Sequence, residues 1–306
     1  MKTWNIRFYE HRKIYFAISL LLAAAMLLGL LVRGVSLDIQ FKGGALLTYS
    51  YQGEVDAKAF TAAAQEVLGK DISLQESTDI ATGGQNFVIS LPTAEGLDPA
   101  VQTELGAALE AAFPDAKLEL TSSSVVDPTI GTEFLAKSLV AIAFAAVLML
   151  VYIGVRFRRI SGWSAGLTAV VALLHDLMMV FFVFIWGGFS VNANFIAVCL
   201  TILGYSLNDT IVVYDRIREN KRILGETVPI EELVTRSVNQ SFSRSLMTSV
   251  TTCVAMLVVS VVAYLYNVTS IISFSVPMLF GMVSGFYSST CIAPMLWTVW
   301  QKKKAA

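Results

Sequence analysis

The sequence predicts a polytopic α-helical membrane protein, six transmembrane helices with a small α+β extracytoplasmic domain between the first and second. Three observations lead there. Of 306 residues, 55% are hydrophobic and 15% charged, with a mean hydropathy of +0.65, too apolar and too poor in charge for an ordinary soluble chain. Six apolar runs reach the ~20 residues that a helix needs to cross a bilayer core. Between the first two, from Gly34 to Thr132, 14 Asp and Glu stand against 4 Lys, whereas the remainder holds 9 against 18 Lys and Arg. Charge therefore separates two compartments.

In chain order, residues 1–13 form a basic cytoplasmic N-terminus and residues 14–33 the first transmembrane helix. The apolar run Ile14 to Val32 follows Lys2, Arg7, His11, Arg12 and Lys13. It exceeds a signal-peptide core, and the alanines Ala23 to Ala25 lead into more membrane-length sequence, so an uncleaved helix is expected. Residues 34–132 form the extracytoplasmic domain and 133–300 carry helices two to six, at about Phe134–Val155, Trp163–Trp186, Ala193–Tyr214, Leu246–Tyr266 and Ile271–Trp300. The last run contains Pro277 and Pro294 and is expected to be broken there. Arg156, Arg158 and Arg159 follow the second run, Arg216, Arg218, Lys221, Arg222 and Arg236 lie between the fourth and fifth, and residues 301–306 form a basic tail. The turns Gly187–Asn192 and Asn267–Ser270 are uncharged. The positive-inside rule then puts both termini in the cytoplasm.

Within the outer segment, Gly44–Tyr51 is rich in β formers. Asp56–Leu68 has helical spacing, Ile72–Thr78 and Gln85–Leu91 flank a turn at Thr82-Gly83-Gly84, Asp98–Phe113 reads as a second helix and Ala116–Thr121 as a last strand. The order βαββαβ predicts a ferredoxin-like α+β domain.

Polar residues inside the apolar runs carry the functional information. Gly204 to Asn220 begins in an apolar run, ends in a charge cluster and reads as one helix leaving the membrane. In it Asp209 lies about fifteen residues from Asn194, roughly 22 Å along a helix, in the inner half of the bilayer. A carboxylate there costs about 2.5–3.5 kcal/mol on insertion scales and requires a partner, a proton or a polar cavity. Tyr205 and Ser206, four and three residues earlier, share its face and could bond to it. Gln240, Arg244, Thr248 and Thr252 recur every fourth residue with Thr251 beside them, a polar stripe in which Arg244 offers a fixed counter-charge. His175 and Asp176 form a third position. Being adjacent on a helix they point about 100° apart and need not touch, but either could reach a polar lumen, and histidine titrates near neutrality. Gly281-x-x-x-Gly285, with Ser284, Ser288 and Ser289, predicts close helix packing.

The absent motifs exclude function classes. No GxxxxGK[ST] loop is present for nucleotide hydrolysis, and no GxSxG, HExxH or Cys–His pairing for a hydrolase. Cys199, Cys253 and Cys291 lie in apolar runs, and two histidines are too few for a metal cluster. Two intramembrane aspartates could suggest an aspartyl protease, but Arg244 and the sequence around each Asp lend it no motif. The protein is therefore not expected to be an enzyme.

Gly204-Tyr205-Ser206-Leu207-Asn208-Asp209-Thr210 with Asp215-Arg216-Ile217-Arg218-Glu219-Asn220, and Ser237 to Arg244 running into Thr248–Thr252, resemble the SecF subunits of bacterial Sec preprotein export, in the SecD/SecF family of the RND superfamily. Leu173-Leu174-His175-Asp176 and Phe41-Lys42-Gly43-Gly44 are similar to further family segments, but Gln40 stands where the family usually has Asp before that Phe. The resemblance implies half of an RND-type bundle that works with SecD and the SecYEG channel, YajC being a further possible partner, on an exported unfolded polypeptide in the bacterial inner membrane. It implies no nucleic-acid partner and no cofactor, protons serving as the coupling ion through Asp209, Arg244, Thr248, Asn208, Ser206, His175 and Asp176. Gly204, Tyr205, Asp215, Arg216, Phe41, Gly43 and Gly44 are its motif positions. The rival readings are half of an RND-type exporter of small molecules or lipids, and a non-transporting translocon scaffold.

Overall fold

Where Asp209, Arg244 and Asp176 stand is set by a helical bundle. The computed structural model describes residues 4–70, 72–78, 84–91, 98–225 and 228–305. The elements are α1 (Arg12–Arg33), α2 (Ile39–Lys42), β1 (Gly44–Tyr51), α3 (Ala57–Leu68), β2 (Ser73–Thr78), β3 (Gln85–Leu91), α4 (Pro99–Ala112), β4 (Glu119–Val126), α5 (Pro128–Arg156), α6 (Gly162–Gly187), α7 (Ala193–Leu224), α8 (Ile230–Leu265), α9 (Thr269–Tyr287) and α10 (Ala293–Ala305). Among the described residues, six helical spans are long and apolar enough to cross a membrane, α9 and α10 forming one of them. The protein is a polytopic helical membrane protein.

The outer segment folds as a four-stranded antiparallel sheet in the order β2-β3-β1-β4, with α3 and α4 packed on it. Asp56 and Asp98 cap the two helices, their carboxylates accepting from the backbone N–H of Lys58 and Ala100, which satisfies a first-turn donor. Alternate residues of β1 and β3 point inward, and Leu47, Tyr49, Phe87 and Ile89 pack with Phe60, Leu105 and Leu109. Burial raises the pKa of the Tyr49 and Tyr51 hydroxyls. The last strand is displaced from the predicted Ala116–Thr121. Pro114–Ala116 is a 3-10 turn, and β4 runs from Glu119 to Val126, paired along β1 with an irregularity between Thr48 and Tyr49. Ser122–Ser124 are weak strand formers held by pairing rather than propensity. Of the predicted turn, Thr82 and Gly83 lie outside the described residues.

The domain is fastened to the bundle by the segment after α1. Asp38 caps the short helix α2, which the sequence did not signal, and Leu37 bridges Val191, with Val191 N–H donating to Ser36 O at 2.8 Å. Gln40 Oε1 accepts from Ala193 N–H at the start of α7, at 3.1 Å. Phe41 is fully buried. Gly43 has φ +80° and a Cβ there would sit 2.5 Å from Pro128 Cα, so both backbone and space demand glycine.

Two apolar clusters fill the bundle, one toward the basic loops around Tyr214, Val238 and Trp297, the other toward the domain around Phe184, Ile202 and Met278. Two helices outrun their apolar runs. α7 continues through its charged turns to Leu224, and α8 begins at Ile230, well before the predicted Leu246. The last span also departs from expectation. Pro277 sits inside a continuous α9, while the distortion before Pro294 is a π-helical turn, Ser288–Ile292. Proline lacks an N–H and its ring crowds the carbonyl four residues back, and a widened turn accommodates this without breaking the helix.

Candidate functional site

The Gly281-x-x-x-Gly285 face of α9 lies against α7. A Cβ on Gly281 would meet Ile202 Cδ1 at 2.7 Å, and one on Gly285 would meet Ser206 Cβ at 3.1 Å. Small residues thus bring α6, α7 and α9 together, with Asp176 at this crossing and Asp209 beside it where α7 meets α8.

Asp176 on α6 has no exposed surface. Ser206 on α7 and Ser288 in the π turn donate to its Oδ2 at 2.5 and 2.7 Å. Ser284 on α9 donates to Oδ1 at 2.6 Å. His175 Nδ1 is 3.4 Å from Oδ1, and His175 Nε2 is buried without a partner among the described residues. Three helical elements are thereby tied to one carboxylate. Ser206 was expected to face Asp209 and turns instead to Asp176, and His175 does contact its neighbour. The serines of α9, read from sequence only as packing residues, are hydrogen-bond donors.

Asp209, three residues after Ser206 on α7, is 3% exposed and faces α8. Its hydrogen bond among the described residues is a long one, Ser249 Oγ donating to Oδ2 at 3.4 Å. Arg244, one helical turn and more before Ser249 on α8, is near enough to act on Asp209 electrostatically, although no ion pair within 4 Å joins them among the described residues. Tyr205, also expected beside Asp209, instead reaches α8, its hydroxyl 2.8 Å from Thr252 Oγ1 and donating to Ser249 at 3.3 Å. Ser249 was missed because it falls between the fourfold-spaced positions of the predicted stripe.

The remaining stripe residues are uncovered. Gly204, Asn208, Arg244, Thr248 and Thr251 are all exposed, and Thr248 and Thr251 hydroxyls bond back to the α8 carbonyls of Arg244 and Met247. Asn208 and Arg244 line a cavity of about 1350 Å³ that opens toward the basic ends of α5 and α7. At its mouth Asp215 pairs with Arg156 and Arg218, at 3.2 and 2.8 Å. Arg216 pairs with Glu219 at 2.5 Å and donates to Gln240. Phe41, Gly43 and Gly44 lie far from this in sequence and serve the domain attachment, Gly44 with φ +145° against Leu91 O. No group of three His, Cys, Asp or Glu residues among those described could hold a metal.

Comparison with known proteins agrees with this architecture. The family described as "Protein export membrane protein SecD/SecF, C-terminal" matches residues 105–303. Protein translocase subunit SecF of Rhodothermus marinus is 35% identical over 94% of this chain and 91% of its own length. Protein translocase subunit SecDF of Bacillus subtilis is 31% identical over 97% of this chain, which spans 38% of it. Among solved structures, SecDF from Thermus thermophilus, described as a translocon-associated membrane protein, superposes with a TM-score of 0.81 at 30% identity, over 98% of this chain and 39% of that one.

Proposed function

The chain belongs to the SecD/SecF family of protein export membrane proteins, and from that premise we propose that it is a SecF-like accessory subunit of preprotein translocation. It acts with SecD and the SecYEG channel, YajC being a possible further partner, in a bacterial inner membrane. The single observation that carries the need for a second half is the polar strip of α7 and α8. Asn208, Arg244, Thr248 and Thr251 stand exposed at membrane depth, where a charge or hydroxyl facing lipid is costly. A partner bundle that covers them makes the strip an internal polar route, and relatives in which SecD and SecF form one chain agree with that partner.

Asp209 lies directly behind the strip. We assign to it the alternation between protonated and charged states, to Arg244 the fixed counter-charge, and to Asn208 and Thr248 the approach. Moving one elementary charge through 100 mV supplies about 2.3 kcal/mol, enough to bias a conformational change without nucleotide. Asp176, with His175 and Ser206, holds the helices against which that change works. On this reading, supported by basic loops at one end and an acidic ferredoxin-like domain at the other, both termini are cytoplasmic and residues 34–132 lie outside. There the domain transmits the motion to an emerging polypeptide. On this reading the protein is a translocation factor and not a hydrolytic enzyme.

The test is preprotein export into vesicles carrying wild-type or Asp209→Asn protein with its partners, with and without a proton gradient. Stimulation by the gradient should vanish in the variant, with assembly intact. Full stimulation in the variant would refute the proton role, and a complex that carries no proton flux at all would favour a scaffold.

A further inference from the structure

The cavity in front of Asn208 and Arg244 carries more charge than coupling requires. Three of its arginines are matched by carboxylates, Arg156 and Arg218 by Asp215 and Arg216 by Glu219. Four other cations on its wall, Arg158, Lys221, Arg222 and Arg244, have no ion-pair partner among the described residues. They converge from the end of α5, the last turns of α7 and the middle of α8 onto one concavity of about 1350 Å³.

An excess of Lys and Arg on one side of a membrane protein is ordinary, but solvated loop charges diverge, whereas these face a common space. The floor of that space is apolar, formed by Val155, Ile211 and Val212. Its α5 rim continues onto the exposed side chains of Val151, Tyr152 and Val155, a surface suited to acyl chains. Arg158 also borders a smaller cavity lined by Trp163 and Trp300, both exposed, and tryptophan collects at the headgroup level. The cations therefore stand where lipid phosphates lie, above a wall where lipid tails lie.

We propose that this cavity is a binding site for the phosphate head group of an anionic membrane lipid, drawn from the leaflet that borders the basic ends of α5 and α7. Basic pockets between transmembrane helices bind anionic head groups in this manner. Arg158, Lys221 and Arg222 hold the phosphate at the mouth, with the acyl chains along α5. The site's exclusion of other anions follows from its apolar floor, which free phosphate or an acidic peptide cannot use.

The test is native mass spectrometry of the full chain, delipidated in neutral detergent, alone and co-expressed with a SecD-type partner, during titration with phosphatidylglycerol or phosphatidylcholine. Phosphatidylglycerol should be retained at least tenfold more tightly than phosphatidylcholine. The triple variant Arg158→Gln/Lys221→Gln/Arg222→Gln should lose at least tenfold of that affinity, given roughly fivefold for each charge near a lipid phosphate. The charge-conserving Arg158→Lys/Arg222→Lys variant should stay within threefold of wild type, which separates loss of charge from loss of fold. Equal binding of the two lipids, or undiminished phosphatidylglycerol binding by the triple variant, would overturn the proposal. So would displacement by equimolar inorganic phosphate or polyglutamate, or exclusion of the lipid whenever the partner is present.

Discussion

Asp176 and Asp209 are the same residue type, one on α6 and the other on α7, and their surroundings are opposite. Asp176 receives three serine hydroxyls within 2.7 Å from α7, α9 and the π turn. Asp209 receives the Ser249 hydroxyl only at 3.4 Å, with Ser245 and Arg244 facing it more loosely, and backs onto an uncovered polar strip. A carboxylate whose acceptor positions are taken by donors from several helices is a joint, because any change in its state disturbs all of them. A carboxylate with weak contacts can gain or lose a proton while its neighbours stay put. The difference matches the proposed roles, fixed architecture for the first and exchange for the second, although sequence alone gives both the same cost of burial.

The largest separation should appear when each carboxylate is removed. Asp176→Ala removes the shared acceptor of three buried hydroxyls. Ser284 and Ser288 keep His175 Nδ1 and Gly285 O as second partners, so with about 1–3 kcal/mol for an unsatisfied group and about 1 kcal/mol for each further bond lost the loss should exceed ~2 kcal/mol. Asp209→Asn should change stability by less than ~1 kcal/mol while abolishing the gradient response. Unfolding of both purified variants in detergent checks this pair. Equal destabilisation would erase the distinction between joint and exchange site.

Next in size is the helix crossing that brings Ser206 to Asp176. A Cβ at position 285 would lie 3.1 Å from Ser206 Cβ and 3.3 Å from Ser206 Oγ, so Gly285→Ala must push α7 off α9 or turn the hydroxyl away. Overpacking of this kind costs about 1–3 kcal/mol. Gly204→Ala, on α7 but facing open space with nothing within 4 Å, should be neutral in the isolated chain, and a shift in melting temperature for Gly285→Ala alone would sharpen the contrast. If Gly204→Ala weakens association with a SecD-type partner instead, the uncovered side of α7 is placed at that interface.

The same contrast explains what could be read from the residues. Hydrophobic run length located all six spans, and Asp56 and Asp98 announced the helices they cap, because these are local properties. Strand β4 was misplaced, since Ser122–Ser124 join the sheet through β1 and not through propensity. The outward extension of α8 was invisible to hydropathy because its faces there are polar, whereas Gly204 to Asn220 already reads as one helix leaving the membrane. Within the site, Asp209 and Arg244 stood out as charges in apolar sequence. The partners of Asp176 did not, because Ser206, Ser284 and Ser288 are small, uncharged and distant in sequence, and serine in a membrane helix ordinarily bonds back to its own carbonyls. Ser288 does both, donating to Gly285 O at 3.2 Å as well as to Asp176.

The smallest effects compare one hydroxyl at each carboxylate. Ser288→Ala removes a 2.7 Å bond to a fully buried carboxyl group, and such a bond contributes about 0.5–1.5 kcal/mol. Ser249→Ala removes a 3.4 Å contact that lies near the limit of a hydrogen bond and should cost less than ~0.5 kcal/mol. Ser249 also accepts from the Tyr205 hydroxyl, but Tyr205 keeps Thr252 at 2.8 Å, and Asp209 keeps Ser245 and Arg244 facing it. Ser249→Ala should therefore unfold like wild type in chemical denaturation, while Ser288→Ala unfolds measurably earlier. A Ser249→Ala protein as unstable as Ser288→Ala would mean that Asp209 is held as firmly as Asp176 and that the loosely held carboxylate must be sought elsewhere.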